Sequence, residues 1–355
     1  MRRLGLFLLL LSCLILAGCG ERNVDEFKGV PDNIHLEIYE TIRFGGFVSY
    51  TSEDTLVASV DVDGRITGIN NGVTTITIEG TSSSKNIKVT VGTGTSRELI
   101  IDIIDIGQGD AILIQLPNGE TMMIDCGKAR SDSWAKISET LIRYQITKID
   151  HLIITHNHED HYSLVPDLLE NYVVVSIYGS GSTRTNIMYL EITQAIADAG
   201  LVIYTVEVGD KIIDEAGLVL QVVATQNIKE ETNPNISSVC VKLTYLEKSF
   251  LFMGDAGFAS SKDGEYTALN SGISLDSDFL KVGHHGSDEA SGTAFLNAVT
   301  PTYAVITTAP GSTNHPHIDA LTRLNAVGAT IYQSKDNGTI TLTSDGYTIV
   351  VSTEK

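Results

Sequence analysis

Seven of the nine histidines in this chain lie in three short clusters, and this distribution constrains the fold more than any other feature of the sequence. The first cluster is Thr155-His156-Asn-His158-Glu-Asp160-His161, directly after the apolar segment Leu152–Ile154. The others are His284-His285 and His315-Pro-His317. Imidazole and carboxylate groups suit a Zn²⁺ or Mn²⁺ site, and the lack of cysteine in these segments favours a catalytic metal over a structural one. The chain is therefore expected to fold so that distant loops meet around metal ions.

The spacing within the first cluster predicts a pair of ions. A loop that leaves a strand can turn His156 and His158 toward one ion, while Asp160 and His161 on the next turn face a second ion beside it. Asp255 ends another apolar strand, where its carboxylate can bridge both ions. The predicted metal ligands are His156, His158, Asp160, His161, Asp255, His285 and His315.

Two choices between neighbouring histidines remain open. His285 is assigned to the first ion and His315 to the second, which leaves His284 to contact the substrate, although His284 as the ligand is also compatible with the sequence. His315 is preferred over His317 because a helix is predicted to begin at His317, which would cap that helix or support a ligand. The carboxylates expected to orient the ligating imidazoles by hydrogen bonds are Asp110 and Asp125.

The composition is that of a folded protein with room for two domains. The chain has 355 residues, of which 42% are hydrophobic and 19% are charged, and this excludes a disordered or collagen-like protein. Its formal charge of −20 argues against a protein that grips nucleic acid through a broad basic surface. An enzyme that reaches a phosphate group through metal ions remains compatible with that charge.

The N-terminus has the pattern of a bacterial secretion signal. Met1-Arg-Arg precedes an apolar run that ends in Leu16-Ala-Gly-Cys19, which resembles the lipoprotein box, where the cysteine receives lipid. Residues 1–18 are thus predicted to be a lipoprotein signal peptide, residues 19–31 a polar tether, and Cys19 the lipidated residue. Cleavage would remove two arginines and no acidic residue, so the formal charge would fall from −20 to −22. The protein is expected to be an extracytoplasmic bacterial lipoprotein, held at the membrane by its N-terminal lipid alone.

Residues 32–92 show short alternating strands and turn signals. Asp63-Gly64 and Asn71-Gly72 are typical of hairpin turns. Segments 50–61 and 64–78 resemble the bacterial immunoglobulin-like module Big2, which implies a small β-sandwich. The preferred interpretation is a spacer, with contact to the cell wall or surface as an alternative role. The strands are predicted at 34–39, 56–62, 73–78 and 87–91, and a small-residue hinge at 92–96.

The second domain, predicted over residues 97–353, alternates strands with helices. Several of its strands are apolar throughout and must be covered on both faces, which indicates a layered α/β architecture. Helices are predicted near residues 131–144, 188–199, 260–269 and 317–326. Strands are predicted near residues 99–105, 111–116, 121–125, 151–155, 173–177, 218–224, 238–246, 249–253, 279–282, 303–306, 330–333, 338–342 and 346–351.

These motifs resemble the metallo-β-lactamase superfamily, whose loop pattern is HxHxDH. Five segments in the same order are similar to the soluble hydrolase domain of the ComEC family of DNA-uptake proteins, namely 105–114, 123–127, 252–256, 278–287 and 314–317. The resemblance spans residues 97–353 and implies an αβ/βα sandwich. The expected fold class is therefore α/β, with a metallo-β-lactamase sandwich preceded by a small all-β immunoglobulin-like sandwich.

One departure from the wider superfamily affects the site. The common pattern places a further ligating histidine before the bridging aspartate, but residues 162–254 contain no histidine. That interval holds Asn235-Ile-Ser237-Ser238, which resembles the Asn/Ser-rich motif of the ComEC group. The residues expected to contact the substrate are Asn235, Ser237, Ser287 and Asn314.

The resemblance implies a binuclear metal-dependent hydrolase of phosphoester bonds, with nuclease activity in the competence proteins. Two divalent ions, Zn²⁺ or else Mn²⁺, can hold a bridging hydroxide as the nucleophile at neutral pH. Asp160 is expected to orient this water as well as ligate, and His284 to stabilise or protonate the leaving oxygen. These two residues are the predicted catalytic residues.

Three functions are compatible with the sequence. The metal motifs favour a surface phosphodiesterase or nuclease that acts on nucleic acid or an envelope polymer. The same chemistry suits phosphorylcholine esters, the substrates of a related branch of surface esterases, or a lactone or β-lactam. The third function is a non-catalytic adhesin, which the complete ligand set disfavours. The acidic charge favours a small or local phosphate over long DNA.

Overall fold

The computed structural model describes residues 27–36, 39–70, 72–91, 98–129, 132–215, 217–228 and 233–355. The predicted signal peptide, the predicted lipidation site Cys19 and the predicted hinge at 92–96 lie outside these residues. Within the described part of the chain, no helix combines the length and apolar character needed to cross a bilayer.

The first region is β-rich and forms two small sheets around an apolar cluster. In the described residues these sheets have the strand orders β1-β7-β6-β3 and β2-β5-β4. Alternate side chains such as Ile76, Ile78, Ile87 and Val89 are fully buried between the sheets, as the alternating sequence pattern predicts. The strands are β1 (Asn33–Leu36), β2 (Thr41–Arg43), β3 (Ser49–Ser52), β4 (Ala58–Val60), β5 (Arg65–Gly68), β6 (Gly72–Glu79) and β7 (Ser84–Val91).

Two predictions for this region are corrected. Asp63-Gly64 lies between the paired strands β4 and β5, as expected. Asn71-Gly72, however, does not close a hairpin, because β5 and β6 belong to different sheets. The tether predicted over residues 19–31 must end earlier, because Phe27 and Val30 are buried in the apolar cluster of the first region. Burial of two large apolar side chains fixes this segment to the sheets.

The first region also contacts the second. The Tyr39 ring, between β1 and β2, packs against the central apolar cluster of the second region. Its backbone N–H donates to the Gly68 carbonyl at 2.7 Å. Burial raises the pKa of Tyr39, consistent with a phenol that has left water.

The second region contains all the helices that the described residues form. Its strands are β8 (Leu99–Ile103), β9 (Ile112–Gln115), β10 (Thr121–Ile124), β11 (Lys148–Ile153), β12 (Val173–Gly179), β13 (Ile203–Thr205), β14 (Lys211–Glu215), β15 (Leu218–Ala224), β16 (Cys240–Tyr245), β17 (Lys248–Phe252), β18 (Phe279–Lys281), β19 (Tyr303–Ile306), β20 (Thr330–Gln333), β21 (Ile340–Ser344) and β22 (Ile349–Thr353). Its α-helices are α1 (Ser133–Arg143), α2 (Glu159–Tyr162), α3 (Val165–Asn171), α4 (Ile187–Asp198), α5 (Gly264–Leu269), α6 (Thr293–Val299), α7 (Ile318–Ala326) and α8 (Ser334–Asn337). Two short 3-10 turns cover Pro234–Ser237 and Gly283–Gly286.

Two sheets of the second region pack face to face. Among the described residues, one sheet has the order β13-β12-β11-β10-β9-β8-β21-β22 and the other has the order β14-β15-β16-β17-β18-β19-β20. Buried side chains of both sheets share one central cluster, with Ile101 and Ile114 on one side and Leu243, Phe252 and Phe279 on the other. Removing this apolar surface from water drives the two sheets together.

Helices cover the outer face of each sheet. Ile137 of α1, Leu168 of α3 and Ile192 of α4 pack onto the first sheet. Phe295 of α6 and Leu324 of α7 pack onto the second sheet. Strands such as β10 are buried along their whole length, as their continuous apolar sequence predicts. The predicted αβ/βα sandwich is therefore confirmed.

Most of the predicted strands and helices of the second region are confirmed within a few residues. The missed elements are short, and a helix or strand of three to seven residues gives too little periodic signal to be read from sequence. The elements missed across the described chain are β2, β3, β5, β13, β14, α2, α3, α6 and α8.

Both sheets end at the same edge of the molecule. In the first sheet β10 runs parallel to β11, and in the second sheet β17, β18 and β19 run parallel to one another. The residues that follow these strands are Asp125, His156, Asp255, His285 and Thr307. Because carboxyl ends of parallel strands share an edge, the fold collects these side chains in one place.

The loop between β8 and β9 presses against the histidine-rich loop at Gly109. Gly109 has φ +129°, and a Cβ there would collide with the Asp160 carbonyl. Asp110 N–H donates to the same carbonyl at 3.1 Å. The close approach requires glycine at this position.

We predict that Gly109→Ala destabilises the protein by at least about 2 kcal/mol, because the new methyl group is strained and also displaces Asp160. Gly209→Ala is the matched control, since Gly209 has φ +99° and a Cβ added there would meet no heavy atom within 4 Å. The control should lose only about 1 kcal/mol. Urea unfolding measures both, and equal losses would contradict the contact argument.

Candidate metal centre

The histidine-rich loop follows β11 and runs into the short helix α2. His158 occupies the N-cap position of α2, which places Asp160 and His161 within its single turn. His156 and His161 are buried, while His158 and Asp160 are partly exposed. The loop therefore sends two imidazoles into the protein and keeps two candidate ligands near its surface.

Three buried imidazoles converge on Asp255. Asp255 Oδ1 lies 3.2 Å from His161 Nε2 and 3.5 Å from His285 Nε2. Asp255 Oδ2 lies 3.7 Å from His156 Nε2. The four side chains come from the ends of strands in both sheets, so the centre spans the sandwich.

Asp125 and Thr155 orient the imidazoles of His161 and His156 through their Nδ1 atoms. His161 Nδ1–H donates to Asp125 Oδ2 at 2.6 Å. The Thr155 hydroxyl donates to the same oxygen at 2.7 Å and lies 3.0 Å from His156 Nδ1. A hydroxyl that donates to a carboxylate can only accept from the imidazole, so the proton of neutral His156 sits on Nδ1. Both rings therefore present Nε2 toward Asp255.

A second chain of hydrogen bonds orients His285 in the same way. His285 Nδ1–H donates to the Thr307 hydroxyl at 2.9 Å, and that hydroxyl donates to Asp110 Oδ1 at 2.7 Å. Asp110 Oδ2 lies 2.8 Å from the buried Lys281 ammonium. The predicted supporting roles of Asp110 and Asp125 agree with this geometry, although Asp110 acts through Thr307.

The candidate ligand atoms fall into two overlapping groups. The atoms of His156, His161 and Asp255 lie within 4.8 Å of one another, and so do those of Asp160, His161 and His285. Asp160 Oδ2 is 3.6 Å from His285 Nε2. The assignment of His285 to the first ion is therefore corrected, because His285 groups with the predicted ligands of the second.

His284 and His315 lie on the outer side of the cluster. Their ring centroids are 5.5 Å apart, and the centroids of His315 and His285 are 6.4 Å apart. His284 Nε2 is 3.2 Å from Nδ2 of Asn235. Because His285 faces Asp255 while His284 faces an amide, the geometry favours His285 as the ligand.

The His284-His285 turn has an unusual backbone. The two residues have φ of 47° and 51°, both in the left-handed region that non-glycine residues rarely occupy. Their conformation costs on the order of 1 kcal/mol each and is common at functional sites. The turn sends the two adjacent rings in different directions, and the His284 N–H is held by the Gly254 carbonyl at 3.1 Å.

His317 caps a helix, which is one of the two roles predicted for it. Its Nδ1 accepts from the Asp319 N–H at 3.2 Å at the start of α7. Its own N–H donates to the Gly286 carbonyl at 2.8 Å. His317 thereby connects α7 to the His284-His285 turn.

The four residues predicted to contact the substrate lie in different environments. Asn235 lies beside His284, and Asn314 is exposed next to His315. Ser237 is fully buried and its hydroxyl donates to the Pro234 carbonyl at 2.8 Å. Ser287 is also buried and accepts from the Glu289 N–H at 3.2 Å within its own turn. The two serine predictions are corrected, since these hydroxyls stabilise turns.

The electrostatics of the cluster favour binding of a cation. Burial lowers the pKa of His156, His158 and His315, so these imidazoles tend to be neutral with a free lone pair. Burial alone would lower the pKa of His161 too, but Asp255 and Asp125 outweigh it and hold the pKa well above its usual value. A proton at His161 Nε2 thus competes with a metal ion for the same place.

The two carboxylates of the centre are held in their ionised form. Burial would raise the pKa of Asp255, but His161 and His285 outweigh this effect and keep it well below its usual value. Burial also opposes ionisation of Asp160, and the nearby His285 and His161 imidazoles overcome it, so the pKa of Asp160 is lowered. Anionic oxygens beside neutral imidazoles are the donor set of divalent transition-metal sites.

Unsatisfied polar atoms indicate that the residues fit a metal. His161 Nε2, His285 Nε2 and Asp255 Oδ1 are buried and have no hydrogen-bond partner among the described residues. Buried polar atoms without partners are costly and require an explanation. Their convergence within a few ångströms of one another is explained by divalent cations bound between them.

A loop at Gly286–Gly292, here called the anchor loop, connects the motifs around the centre. Arg323 of α7 donates to its carbonyls, with Nε to Ser291 at 2.7 Å and Nη2 to Asp288 and Ala290 at 2.8 Å. The Glu265 carboxylate of α5 accepts from the N–H groups of Ser291 and Gly292. The anchor loop therefore ties the helices that follow Asp255 and His315 to the His284-His285 turn.

A cavity of about 220 Å³ opens beside the centre. Its walls include Asp255, Asn235 and His284, together with the carboxylates of Asp263 and Glu289. This space adjoins the converging ligands and can receive part of a substrate.

Two facing sheets covered by helices, with histidines and aspartates gathered at the ends of parallel strands, define a layered α/β protein with a candidate metal centre. A family model described as the metallo-beta-lactamase superfamily matches residues 104–309, which is more than half of the chain. The chain belongs to the metallo-beta-lactamase superfamily, whose fold is generally hydrolytic and implies divalent metal binding.

Two curated relatives support the predicted relation to ComEC-like proteins. ComE operon protein 3 of Bacillus subtilis (strain 168) is 27% identical over 261 residues, covering 69% of this chain and 33% of that protein. Recombination protein 2 of Haemophilus influenzae is 27% identical over 245 residues, covering 68% of this chain and 28% of that protein. This chain thus spans about one third of the length of the curated relatives it matches. Among solved structures, the metallo-beta-lactamase fold protein YhfI from Bacillus subtilis covers 69% of this chain and 100% of its own, with a TM-score of 0.48 and 12% identity.

Sequence reasoning missed three residues that orient the imidazoles. Thr155 and Thr307 mediate contacts between carboxylates and histidines, and Lys281 neutralises Asp110. Thr155 and Lys281 adjoin or lie near the histidine motifs, so a search for polar residues beside the ligands could have found them. Thr307 had no such signal, because it is separated from Asp110 by 197 positions.

We predict that Thr307→Val weakens metal binding about 10- to 100-fold, because it breaks the connection between Asp110 and His285. Thr308→Val is the matched control, since Thr308 is equally buried and its hydroxyl has no hydrogen-bond partner among the described residues. Competition with a chromophoric chelator measures the affinity. Equal affinities of the two variants would contradict the role of Thr307.

Glu265 predicts a pH dependence of stability. Burial raises its pKa from 4.5 to about 7, in spite of the N–H groups of Gly292 and Ser291. Between pH 4.5 and 7 the folded protein binds more protons at this group than the unfolded chain, so its stabilising contribution is lost as the pH rises. Glu265→Gln should remove about 2 kcal/mol of the change in unfolding free energy between pH 5 and 7.5.

The measurement is urea unfolding of the metal-free protein at both pH values. Glu191→Gln on α4 is the control, because Glu191 is exposed and should leave the pH dependence of the parent protein intact. Parallel pH profiles for the parent and Glu265→Gln would show that Glu265 does not titrate in this range.

Proposed function

We propose that this protein is a binuclear metal-dependent hydrolase that cleaves phosphodiester bonds at the outer surface of a bacterial membrane. The observation that carries the proposal is the convergence of unpartnered, buried imidazole and carboxylate atoms on Asp255. When bound, divalent ions supply a water molecule of lowered pKa and neutralise charge on a phosphate group. Zn²⁺ is the preferred ion for this mixture of imidazole and carboxylate donors, with Mn²⁺ as the alternative.

The ligand roles follow the two groups of donor atoms. His156 and His158 would hold one ion, since Nε2 of His156 and Nδ1 of His158 lie 3.0 Å apart. Asp160 and His161 hold the other ion. Asp255 serves both groups. His285 joins the second group, and His315 approaches from the outer side.

Asp160 and His284 are the proposed catalytic residues. Asp160 is partly exposed and ionised, so its carboxylate can accept a hydrogen bond from an attacking water molecule and orient it. The Asn235 amide donates to His284 Nε2, which leaves the proton of the neutral imidazole on Nδ1. His284 can then donate to a leaving oxygen. Asn235 lies beside His284 and Asn314 is exposed next to His315, and both are proposed to contact the substrate.

The substrate class rests on the motifs and on the relatives. The resemblance to the ComEC family favours nucleic-acid phosphodiesters, while the acidic charge of the chain favours a short or local phosphodiester. The relatives match 69% and 68% of this chain but only 33% and 28% of their own length, so a shared substrate is part of the proposal.

A second candidate substrate is a phosphorylcholine-type ester of a cell-envelope polymer. The cavity beside His284 carries the carboxylates of Asp263 and Glu289, which would attract a cationic substituent and repel a second phosphate. Assays with both kinds of substrate decide between them.

The N-terminal segments would place the enzyme at the surface. We propose lipidation at Cys19 after removal of residues 1–18, and an immunoglobulin-like Big2 identity for the first region. Its two sheets and enclosed apolar cluster support the second proposal. Cys19→Ser should release the protein from membranes, which a fractionation assay measures. Continued anchoring of that variant would rule out Cys19 as the lipid site.

We predict that His158→Ala loses bound metal and lowers turnover of bis(p-nitrophenyl) phosphate by at least about 100-fold, because it removes a partly exposed ligand without leaving a buried charge unpaired. His151→Ala is the control, since His151 lies within β11 and its ring pairs with Glu120. Elemental analysis and steady-state kinetics measure the two effects. Full turnover by His158→Ala would remove it from the site.

A panel of substrates separates the functions. It consists of bis(p-nitrophenyl) phosphate, single-stranded DNA, p-nitrophenylphosphorylcholine and nitrocefin, each tested with the metal-loaded protein. Cleavage of DNA would select a nuclease, release of phosphorylcholine the esterase, and hydrolysis of nitrocefin alone would refute phosphoester chemistry. A protein that binds no metal and turns over none of them would be a non-catalytic adhesin.

A further inference from the structure

Arg184 is a partly buried cation beside the histidine-rich loop. Burial lowers the pKa of His158 and raises the pKa of Tyr162 to about 12, and the nearby Arg184 charge acts to lower both. Within the described part of the chain, Arg184 makes no hydrogen bond and no ion pair. A guanidinium that has partly left water gains stability when an anion completes its hydrogen bonds.

The segment that carries Arg184 is fixed to the centre. The Asn157 amide, within the histidine-rich loop, donates to the Ser182 carbonyl at 2.9 Å. The Ser182 hydroxyl donates to the Gln226 carbonyl at 3.1 Å and accepts from the Ile228 N–H at 2.9 Å. On the other side, Asn186 caps α4 by accepting from the Tyr189 N–H. Arg184 therefore sits on a short span held at both ends.

The other cations near the centre are already neutralised. Lys128 pairs with Glu159 on α2. Lys281 is fully buried behind the centre and pairs with Asp110. Neither ammonium is available to a substrate. Of the described lysines and arginines next to the histidine motifs, Arg184 is the one without a carboxylate partner.

We propose that Arg184 binds a non-bridging oxygen of an anionic ester substrate and so selects phosphodiesters over neutral esters. This inference rests on the proposed phosphodiesterase function and specifies how that site discriminates. The planar guanidinium can donate two parallel hydrogen bonds to a phosphate, whereas a neutral lactone or ester offers no matching charge. The segment that carries Arg184 is hydrogen-bonded to Asn157, next to His158, whereas the acidic cavity is lined by His284. The anionic part of the substrate is therefore directed toward Arg184, away from Asp263 and Glu289.

Kinetics with a charged and an uncharged substrate test this assignment. Arg184→Ala should raise KM for bis(p-nitrophenyl) phosphate about 10- to 100-fold, as expected for loss of a charged hydrogen bond, with kcat changed far less. KM for the neutral ester p-nitrophenyl acetate should stay within about twofold. Arg184→Lys should restore part of the loss, because an ammonium keeps the charge without the paired geometry.

Arg65→Ala is the control for loss of one positive charge, since Arg65 is exposed in the first region and pairs with Asp61. Its KM for both substrates should match the parent protein. Metal content of Arg184→Ala is measured as well and should be unchanged, which separates a substrate contact from damage to the metal ligands. Equal KM values for the parent protein and Arg184→Ala on the phosphodiester would overturn the assignment.

A binding measurement keeps the inference separate from the proposed activity. Calorimetric titration with inorganic phosphate should show at least about tenfold weaker binding to metal-loaded Arg184→Ala than to the parent protein. If the parent protein cleaves no phosphodiester yet shows this difference, the proposed function fails and the anion site stands. If phosphate binds both proteins equally, the role of Arg184 fails whatever the enzyme cleaves.

Discussion

The hydrogen bonds behind the imidazoles determine what this centre can do. A free histidine carries its proton on either nitrogen, but Asp125, Thr155 and Thr307 leave only Nε2 unprotonated in the neutral rings of His156, His161 and His285. The Nε2 atoms of all three rings are thereby turned toward Asp255 before any ligand arrives. Preorganisation of this kind lowers the entropy cost of binding a cation, and it explains why polar atoms remain unpaired in an otherwise dry interior. The fold is stable around them only because the supporting carboxylates are themselves satisfied.

The supporting carboxylates are kept in place by different means. Asp110 is fully buried, and burial would raise its pKa, but the Lys281 charge outweighs burial and lowers it. Asp125 has no such ammonium, and burial raises its pKa despite the charge of His161. One carboxylate is therefore stabilised by a permanent cation, and the other depends on the hydrogen bonds of Thr155 and His161. Removing a partner from either would leave a buried charge uncompensated, which is more costly than the original pair is stabilising.

Local patterns were enough to predict a layered α/β architecture and a set of candidate ligands, whereas the αβ/βα sandwich was implied by the family resemblance. Continuous apolar strands gave the covered sheets, and the spacing from His156 to His161 indicated a loop that gathers around ions. The contacts that could not be predicted join residues that are far apart in the sequence. The partner of Thr307 comes from the β8–β9 loop, and the grouping of His285 with Asp160 follows from a left-handed turn that no periodicity reveals. Ser237 and Ser287 were predicted to contact the substrate because of their motifs, but their hydroxyls form hydrogen bonds with backbone groups of their own turns.

Charge distribution then decides which substrates the centre can approach. The chain is strongly acidic. Near the site, Lys128 is paired with Glu159 and Lys281 is paired with Asp110. A polyanion must therefore come through an unfavourable field, while a single phosphate meets attraction only where metal ions and Arg184 act together. Because field strength falls with separation and with salt, this attraction reaches about one Debye length, or roughly 8 to 10 Å. Such a short range fits the proposed selection of a single phosphodiester group after encounter.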